Sequence, residues 1–380
     1  MKEVCILTSV HSPFDHRIFF KQAKSLQKAG YRLTIVAPHD RDEIVDGIKF
    51  VALPGTRNRL ERMMGTWRVF RLALRQKADI YHFHDPELLF WGWLLQALIG
   101  KPVIYDVHEN YAETLLLRDW LPAFLRKPVA WLFTLTERVL AGRLAAVITV
   151  SEPMKKRFAD FQPICVSVHN YPDLNMIEFG DKFEPAGEND RYSLIYTGGM
   201  TREMGFPLIL DTLTLISLSR PEVSCLILSK ADNIEWLNED QRDMMKKLIA
   251  GGMLKIVERV LHNEVFKYIG LSSIGWRPGP PFQEGISTKS LEYMACAKPV
   301  LSSDVSIISS IIRESGCGIL VDPYDAAEHA RAILYLLDHP EEARHLGENG
   351  RKAVLLKYNW GIEEKKLLDV YSRCLARGAG

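Results

Sequence analysis

Short apolar runs rich in Val, Ile and Tyr alternate with segments of helical period from the start of the chain. Val4–Val10 precedes the helical pattern Phe19–Ala29, and Leu33–Ala37, Ile80–Phe83 with Glu87–Ile99 behind it, Val103–Val107 and Ala146–Val150 continue the series. Strand, helix, strand in this rhythm predicts a parallel sheet. A polar stretch with Pro and Gly, Pro172–Arg191, interrupts it. The rhythm then resumes with predicted strands at Leu194–Thr197, Val223–Leu228, Leu254–Val257, Ser273–Trp276, Val300–Ser302 and Gly318–Val321. Predicted helices lie between them at Asp211–Leu218, Asp243–Ala250, Lys289–Cys296 and Ala326–Leu337.

The interruption divides the chain into two α/β domains, residues 1–172 and 173–359. The helical tail from Pro340 offers Trp360 and Tyr371 as apolar anchors, and residues 360–380 are expected to pack back on the first domain. A chain of 380 residues is long enough for two cores. No period of 20 to 50 residues repeats, which excludes solenoids and propellers. Ligands of such open sheets sit beyond the carboxyl ends of the strands.

Composition narrows the function. Apolar residues make up 47% and charged residues 25%, the balance of a globular protein, and a net charge of +1 gives no field for a nucleic-acid partner. The six cysteines stand singly, mostly within apolar runs and without zinc-ligand spacing, and read as reduced core residues. The apolar stretch at Val4–Val10 is too short for a signal peptide, and no run approaches the roughly 18 apolar residues of a membrane span. The expectation is a cytoplasmic protein.

The densest chemistry lies at Glu284-Gly-Ile-Ser-Thr-Lys-Ser-Leu-Glu292, where a loop carrying one carboxylate opens into a helix. Backbone N–H groups and the positive helix end there suit a phosphate, with Lys289 adding a mobile cation and Glu292 accepting from ribose hydroxyls. A merely solvated helix start would use the same residues. Other strings stand in order along the chain: Thr8-Ser-Val-His11-Ser-Pro-Phe-Asp15-His-Arg17, His82-Phe-His84-Asp85-Pro86-Glu87-Leu88, Tyr105-Asp106-Val107-His108-Glu109, Gly318-Ile-Leu-Val-Asp322-Pro323 and Tyr358-Asn359-Trp360.

In these motifs and their order, the chain resembles the retaining glycosyltransferases of family four, in the branch serving bacterial polysaccharide and lipopolysaccharide synthesis. The resemblance implies the GT-B architecture, two Rossmann-like domains whose parallel sheets face a deep interdomain cleft. It implies transfer of a sugar from a nucleotide-diphosphate donor, a UDP-sugar ahead of a GDP-sugar, to a glycan or lipid-linked acceptor with retention of anomeric configuration. His108 and Glu284 match the catalytic-site histidine and the glutamate beside the donor sugar. Gly198, Arg202, Gly285, Ile286, Ser287, Thr288, Lys289 and Glu292 fall on the donor side, and His11, Asp15, Arg17 and His84 on the acceptor side, with the first three in the loop after the first strand. The family stabilises the leaving diphosphate with cations and helix ends, so no metal and no other cofactor is expected; Asp40-Arg-Asp42 has metal-site spacing but reads as a solvated turn.

The chain departs from the family at two basic positions that hold the diphosphate. Gly199 and Met204 occupy them, and each lost cation is worth about 1.5–3 kcal/mol of diphosphate stabilisation. Arg202 is the nearby substitute. A Gly-rich turn is missing after Leu228, and Glu258 replaces a Gly. A nucleotide-sugar epimerase of the same fold and a non-catalytic nucleotide-sugar binder are the competing functions.

Two segments bear on membranes. Arg57–Lys77 sets seven cations against Glu61, interleaved with Met63, Met64, Trp67, Phe70 and Leu74, and reads as a peripheral contact with anionic lipid. Leu115–Leu140, with Trp120, Phe124, Trp131 and Phe133, reads instead as an ordinary helix with a buried apolar face.

Overall fold

The computed structural model describes residues 1–55, 58–116, 118, 121–175, 191–229, 234–258, 260, 262–280 and 286–377. It divides into two compact units, Met1–Asn170 with Ile362–Gly380, and Tyr171–Gly361.

The first unit is built on strands β1 (Glu3–Leu7), β2 (Arg32–Pro38), β3 (Glu43–Val45), β4 (Ile48–Leu53), β5 (Ile80–Phe83), β6 (Val103–Val107), β7 (Ala146–Thr149) and β8 (Cys165–Ser167). They lie in the order β3-β4-β2-β1-β5-β6-β7-β8, parallel except for the β3–β4 hairpin. Strands β5, β6 and β7 are buried at every position, which is why each reads as an unbroken apolar run. The hairpin turns at Asp46-Gly47, both at positive φ, a pair suited to a two-residue turn. Asp42 is not simply solvated, because its carboxylate accepts the Ala52 N–H at 2.8 Å.

The second unit contains β9 (Tyr192–Thr197), β10 (Cys225–Ser229), β11 (Leu254–Glu258), β12 (Ser272–Arg277), β13 (Val300–Ser303) and β14 (Gly318–Val321), in the order β11-β10-β9-β12-β13-β14 and parallel throughout. Both sheets reverse their strand order beside their first strand, between β1 and β5 and between β9 and β12. Open α/β sheets bind ligands at the carboxyl ends of strands at such a switch point.

The Trp360–Arg377 helix begins in the second unit and runs on in the first. There the Tyr371 ring is fully buried, its hydroxyl 2.8 Å from His82 Nδ1, and the Glu363 carboxylate accepts the His169 N–H at 2.9 Å. Among the described residues no helix is long and apolar enough to cross a membrane. All six cysteines are free; five are buried and Cys165 is half-buried.

The two candidate membrane segments differ from expectation in one respect. The Arg59–Gln76 helix buries Val69, Phe70 and Ala73 and exposes Met63, Met64, Trp67, Arg68, Arg71 and Arg75; Arg57 lies outside the described residues. The Ala123–Ala141 helix was expected to hide its apolar face, yet it buries only Ala130, Glu137 and Ala141 and leaves Phe124 77% and Trp131 67% exposed. The reason lies in the choice of inward residues: two small alanines and one glutamate meet the neighbouring elements, so the large apolar side chains point outward. Trp120 lies outside the described residues.

Candidate functional site

At the switch point of the first unit, residues from β1, β5 and β6 converge in a polar cluster. Arg17 is central. It was expected in the loop after β1 but sits in the π-helical turn His16–Ala23, whose start is capped by Asp15 through the N–H groups of Arg17 and Ile18. Its guanidinium is buried: Nε and Nη2 donate to the two carboxylate oxygens of Asp106 at 3.0 Å each, and Nη1 donates to the Val168 carbonyl at 2.9 Å. Gln22 Nε2 also donates to Asp106, at 2.6 Å. Arg17 therefore fastens Asp106 and does not face open space.

The imidazoles stack outward from this pair. His82 and His84 are fully buried with ring centroids 4.6 Å apart, and His84 Nδ1 lies 3.0 Å from His108 Nε2, one donating to the other. His108 keeps 15% of its side chain exposed and His11 27%, so these two form the cluster's open edge. Burial holds His82 and His108 at about 4, and His84 well below the ordinary imidazole value; all three are neutral near pH 7. His11 goes the other way. Burial opposes its charge, but hydrogen bonding to Asp15 and the charges of Asp85 and Asp106 outweigh burial and raise its pKa. Asp85 is buried and accepts from Thr8 Oγ1 at 2.8 Å and from the Ser9 N–H at 2.6 Å.

Donor atoms of His82, His84 and Asp106 lie within 4.8 Å of one another, the spacing of a metal site. The donor chemistry does not suit a cation, because both Asp106 oxygens are engaged by Arg17, whose fixed positive charge adjoins the place the ion would take.

In the second unit the candidate residues gather where β9 and β12 end. Gly198 follows β9, and a side chain there would collide with the Tyr196 hydroxyl and come within 2.9 Å of Lys289 Nζ. Lys289 lies in the first turn of the Thr288–Ala295 helix, which Ser287 caps and which Tyr293 fastens to β9 by accepting the Thr197 N–H at 2.9 Å. Its ammonium sits 5.9 Å from the centre of the Tyr196 ring. Burial lowers its pKa against the pull of the nearby Glu292 carboxylate, which is itself buried. Ile286, Ser287 and Thr288 line the approach to this helix and are partly exposed. Glu284 and Gly285 lie outside the described residues. Arg202 is exposed and rests 5.8 Å from the Trp236 ring.

The positions that depart from the family pattern are occupied by backbone. The Gly199 and Met204 carbonyls accept the Tyr196 hydroxyl at 2.9 and 3.3 Å. Gly205 and Gly279, at φ of +81° and +101°, hold the chain after β9 against the chain after β12, and a Cβ on Gly205 would lie 2.6 Å from Gly279 Cα. Between them β12 ends at Arg277, which sequence reasoning passed over. Its Nη1 is buried without a hydrogen-bond partner, burial lowers its pKa, and the Tyr196 and Tyr293 phenols are the groups that pull the other way. A cation closing an apolar strand before Pro278-Gly279 was the available signal.

Comparison with known proteins bears on both units. Residues 17–170 match the model described as Glycosyltransferase Family 4, and residues 180–353 the model described as Glycosyl transferases group 1. The chain is 22% identical over 344 residues to an MMP alpha-(1->4)-mannosyltransferase of Mycolicibacterium hassiacum, covering 84% of this chain and 80% of that protein. It is 23% identical to an alpha-maltose-1-phosphate synthase of Mycolicibacterium smegmatis, covering 79% of this chain and 80% of that one. A sucrose-phosphate synthase structure from Thermosynechococcus elongatus superposes with a TM-score of 0.74 at 17% identity, covering 99% of this chain and 100% of the other. Anabaena HepE in complex with UDP-glucose gives 0.71 at 12% identity, covering 98% of this chain and 100% of that one.

Proposed function

The chain belongs to glycosyltransferase family 4, with the GT-B fold, and from that membership we propose that it moves a sugar from a nucleotide-diphosphate donor to a glycan or lipid-linked acceptor with retention of configuration. His108 carries the reading. It is the partly exposed end of a buried imidazole row, neutral at physiological pH and oriented by His84. A neutral imidazole at a strand end presents a ring nitrogen to a sugar hydroxyl without adding charge beside a developing oxocarbenium centre.

In this reading the second unit holds the donor. Lys289 meets the diphosphate, Glu292 accepts from the ribose, and Gly198 with Ile286, Ser287 and Thr288 lets backbone approach the phosphates and sugar. Glu284 and Gly285 keep the donor-sugar roles the family motif gives them. His11 and Asp15, as a half-buried ion pair at the cluster's open edge, are assigned to the acceptor, with Arg17 and His84 holding the cluster behind them. Cationic side chains replace a metal at the leaving group, and the donor is a UDP-sugar in preference to a GDP-sugar. Complexes of HepE with UDP and UDP-glucose support that order.

A membrane-facing acceptor agrees with the exposed Met63, Met64 and Trp67 beside Arg68 and Arg71, and with exposed Phe124 and Trp131, apolar and cationic groups together on helices too polar to span. The protein would work on the inner face of the cell membrane in polysaccharide synthesis. The deciding experiment is a panel of UDP- and GDP-sugars scored for nucleotide release with and without lipid-linked glycans. Acceptor-dependent release supports transfer. Isomerised sugar released without acceptor identifies an epimerase, and failure of every donor to bind removes the reading.

A further inference from the structure

Arg277 and Lys289 form an unbalanced pair of half-buried cations. Among the described residues neither joins a hydrogen bond or ion pair with a carboxylate, and Arg277 Nη1 is buried with no hydrogen-bond partner there. The charges are close enough for Arg277 to destabilise the Lys289 ammonium, and Glu292 is the carboxylate that offsets it. Burying a cation without a counter-charge is costly, and so is an unsatisfied buried guanidinium N–H. A fold retains such a group where something else supplies the missing charge.

The surroundings fix Arg277 in place. Trp276 before it is fully buried and donates its indole N–H to His329 Nδ1 at 3.0 Å. Pro278-Gly279 after it is clamped by the Gly205 contact. The β12 register sets Arg277 opposite Ser302 of β13, while on the other side β12 pairs with β9, whose end leads into Gly198. Arg277 thus closes a strand at the switch point, on the side where Lys289 and Gly198 already meet.

We propose that Arg277 is the second diphosphate-binding cation of this chain, supplying from β12 the charge that Gly199 and Met204 cannot supply from the loop after β9. The assignment rests on the nucleotide-sugar reading above and adds to it a residue and a leaving-group role. A diphosphate suits two cations from separate elements better than a monophosphate because it carries more charge, spread over oxygens on two phosphorus centres. As the sugar–phosphate bond breaks, the charge growing on the departing diphosphate falls on groups already fixed in place. Arg202, exposed and turned toward Trp236, is left free of that task.

The test compares wild type with Arg277→Gln and Arg277→Lys, measuring UDP, GDP, UMP, uridine and inorganic pyrophosphate binding by calorimetry and ligand-free melting by calorimetric scan. Arg277→Gln should weaken UDP, GDP and pyrophosphate by about 10- to 100-fold, shift UMP less and leave uridine unchanged. Its ligand-free melting temperature should stay level or rise, since an unpaired buried charge has been removed. Arg277→Lys should recover part of the affinity. Unchanged diphosphate affinity in Arg277→Gln overturns the proposal. So does a loss accompanied by lower melting in both variants and no recovery by lysine, which assigns Arg277 to packing. Wild type that binds pyrophosphate through Arg277 but neither UDP nor GDP keeps the anion site and removes the nucleotide-sugar reading instead.

Discussion

Arg17, buried in the helical turn after β1 of the first unit, and Arg277, half-buried at the end of β12 in the second, handle their charges differently. Arg17 spends all its charge internally: Asp106 receives two of its N–H groups and Val168 a third. Arg277 faces two phenols and a lysine and leaves a guanidinium nitrogen unpaired. A neutralised cluster is complete by itself and can orient neutral imidazoles; an unneutralised one is completed by an anion. On the proposed function, the contrast fits one copy of the sheet plan to a sugar hydroxyl and the other to a diphosphate.

Substitution at the two arginines should separate these cases most widely. Arg17→Met leaves Asp106 buried without a counter-charge and should cost about 3–5 kcal/mol in urea denaturation, whereas Arg277→Met should cost little or nothing. Equal losses at the two sites would erase the distinction. Catalysis should invert the order of sensitivity at the open edge: His108→Ala should lower turnover by about 100-fold or more at unchanged stability, the scale of one preorganised polar contact in a transition state. Single-turnover assay with saturating donor reads it.

Acid offers a sharper cut through the first unit. His82 ionises at about 4 in the folded protein against an ordinary value of 6.5, because burial disfavours its charge. Between those values the unfolded chain binds the extra proton, so stability falls as pH drops from 6.5 toward 4, by about 3 kcal/mol for one fully buried imidazole. Asp106 titrates below this window, at about 2, and the raised His11 above it. Glu137, pushed up by burial to about 7, works in the opposite sense within it. The measurement is therefore a difference: wild type should lose that much more than His82→Gln over the same range, and parallel curves would mean that His82 is not held neutral.

Much of the sheet was legible because strands buried on both faces cannot hide their composition. Val103–Val107, buried throughout, was read with the bounds it has in the structure, and so was Gly318–Val321, although that strand is only partly buried. The β3–β4 hairpin was missed, since Glu43–Val45 is short and half polar, although Asp46-Gly47 carried the turn signal. The partners of site residues were a harder matter. Arg17 and Asp106 stand 89 positions apart and Tyr371 and His82 289 apart, and strand order, not spacing, brings them together. His108 and Lys289 could be chosen by motif; Arg277 offered only its place before Pro278-Gly279, which does not reveal that its charge lacks a counter-charge.

Backbone contact gives a smaller effect that again differs between the units. Gly205→Ala combines a left-handed conformation, φ +81°, with a Cβ driven against Gly279, while Gly30→Ala in the first unit has a similar φ of +90° and open space around it. Conformation alone costs about 1–2 kcal/mol at either site. Gly205→Ala should exceed that and should also weaken nucleoside diphosphate binding, since it pries the loop after β9 away from Arg277. Equal melting shifts in the two variants would show that the Gly205–Gly279 contact gives way without resistance.

The smallest expected change in ligand affinity is at Gly198. Its backbone suits any residue, so the effect of Gly198→Ala comes only from the methyl group, which meets the Tyr196 hydroxyl and Lys289 Nζ. The hydroxyl, the nearer of the two to that methyl, is held by the Gly199 and Met204 carbonyls and gives way at a cost, whereas the lysine, 2.9 Å from the methyl, ends a flexible chain and swings aside freely. Stability should therefore fall by about 1–3 kcal/mol as the Tyr196 ring is forced aside, while UDP or GDP affinity drops about 3- to 10-fold as the ammonium is displaced. If binding is unchanged while melting falls, it is Tyr196 that has moved, and Lys289 does not meet the diphosphate from the place it occupies here.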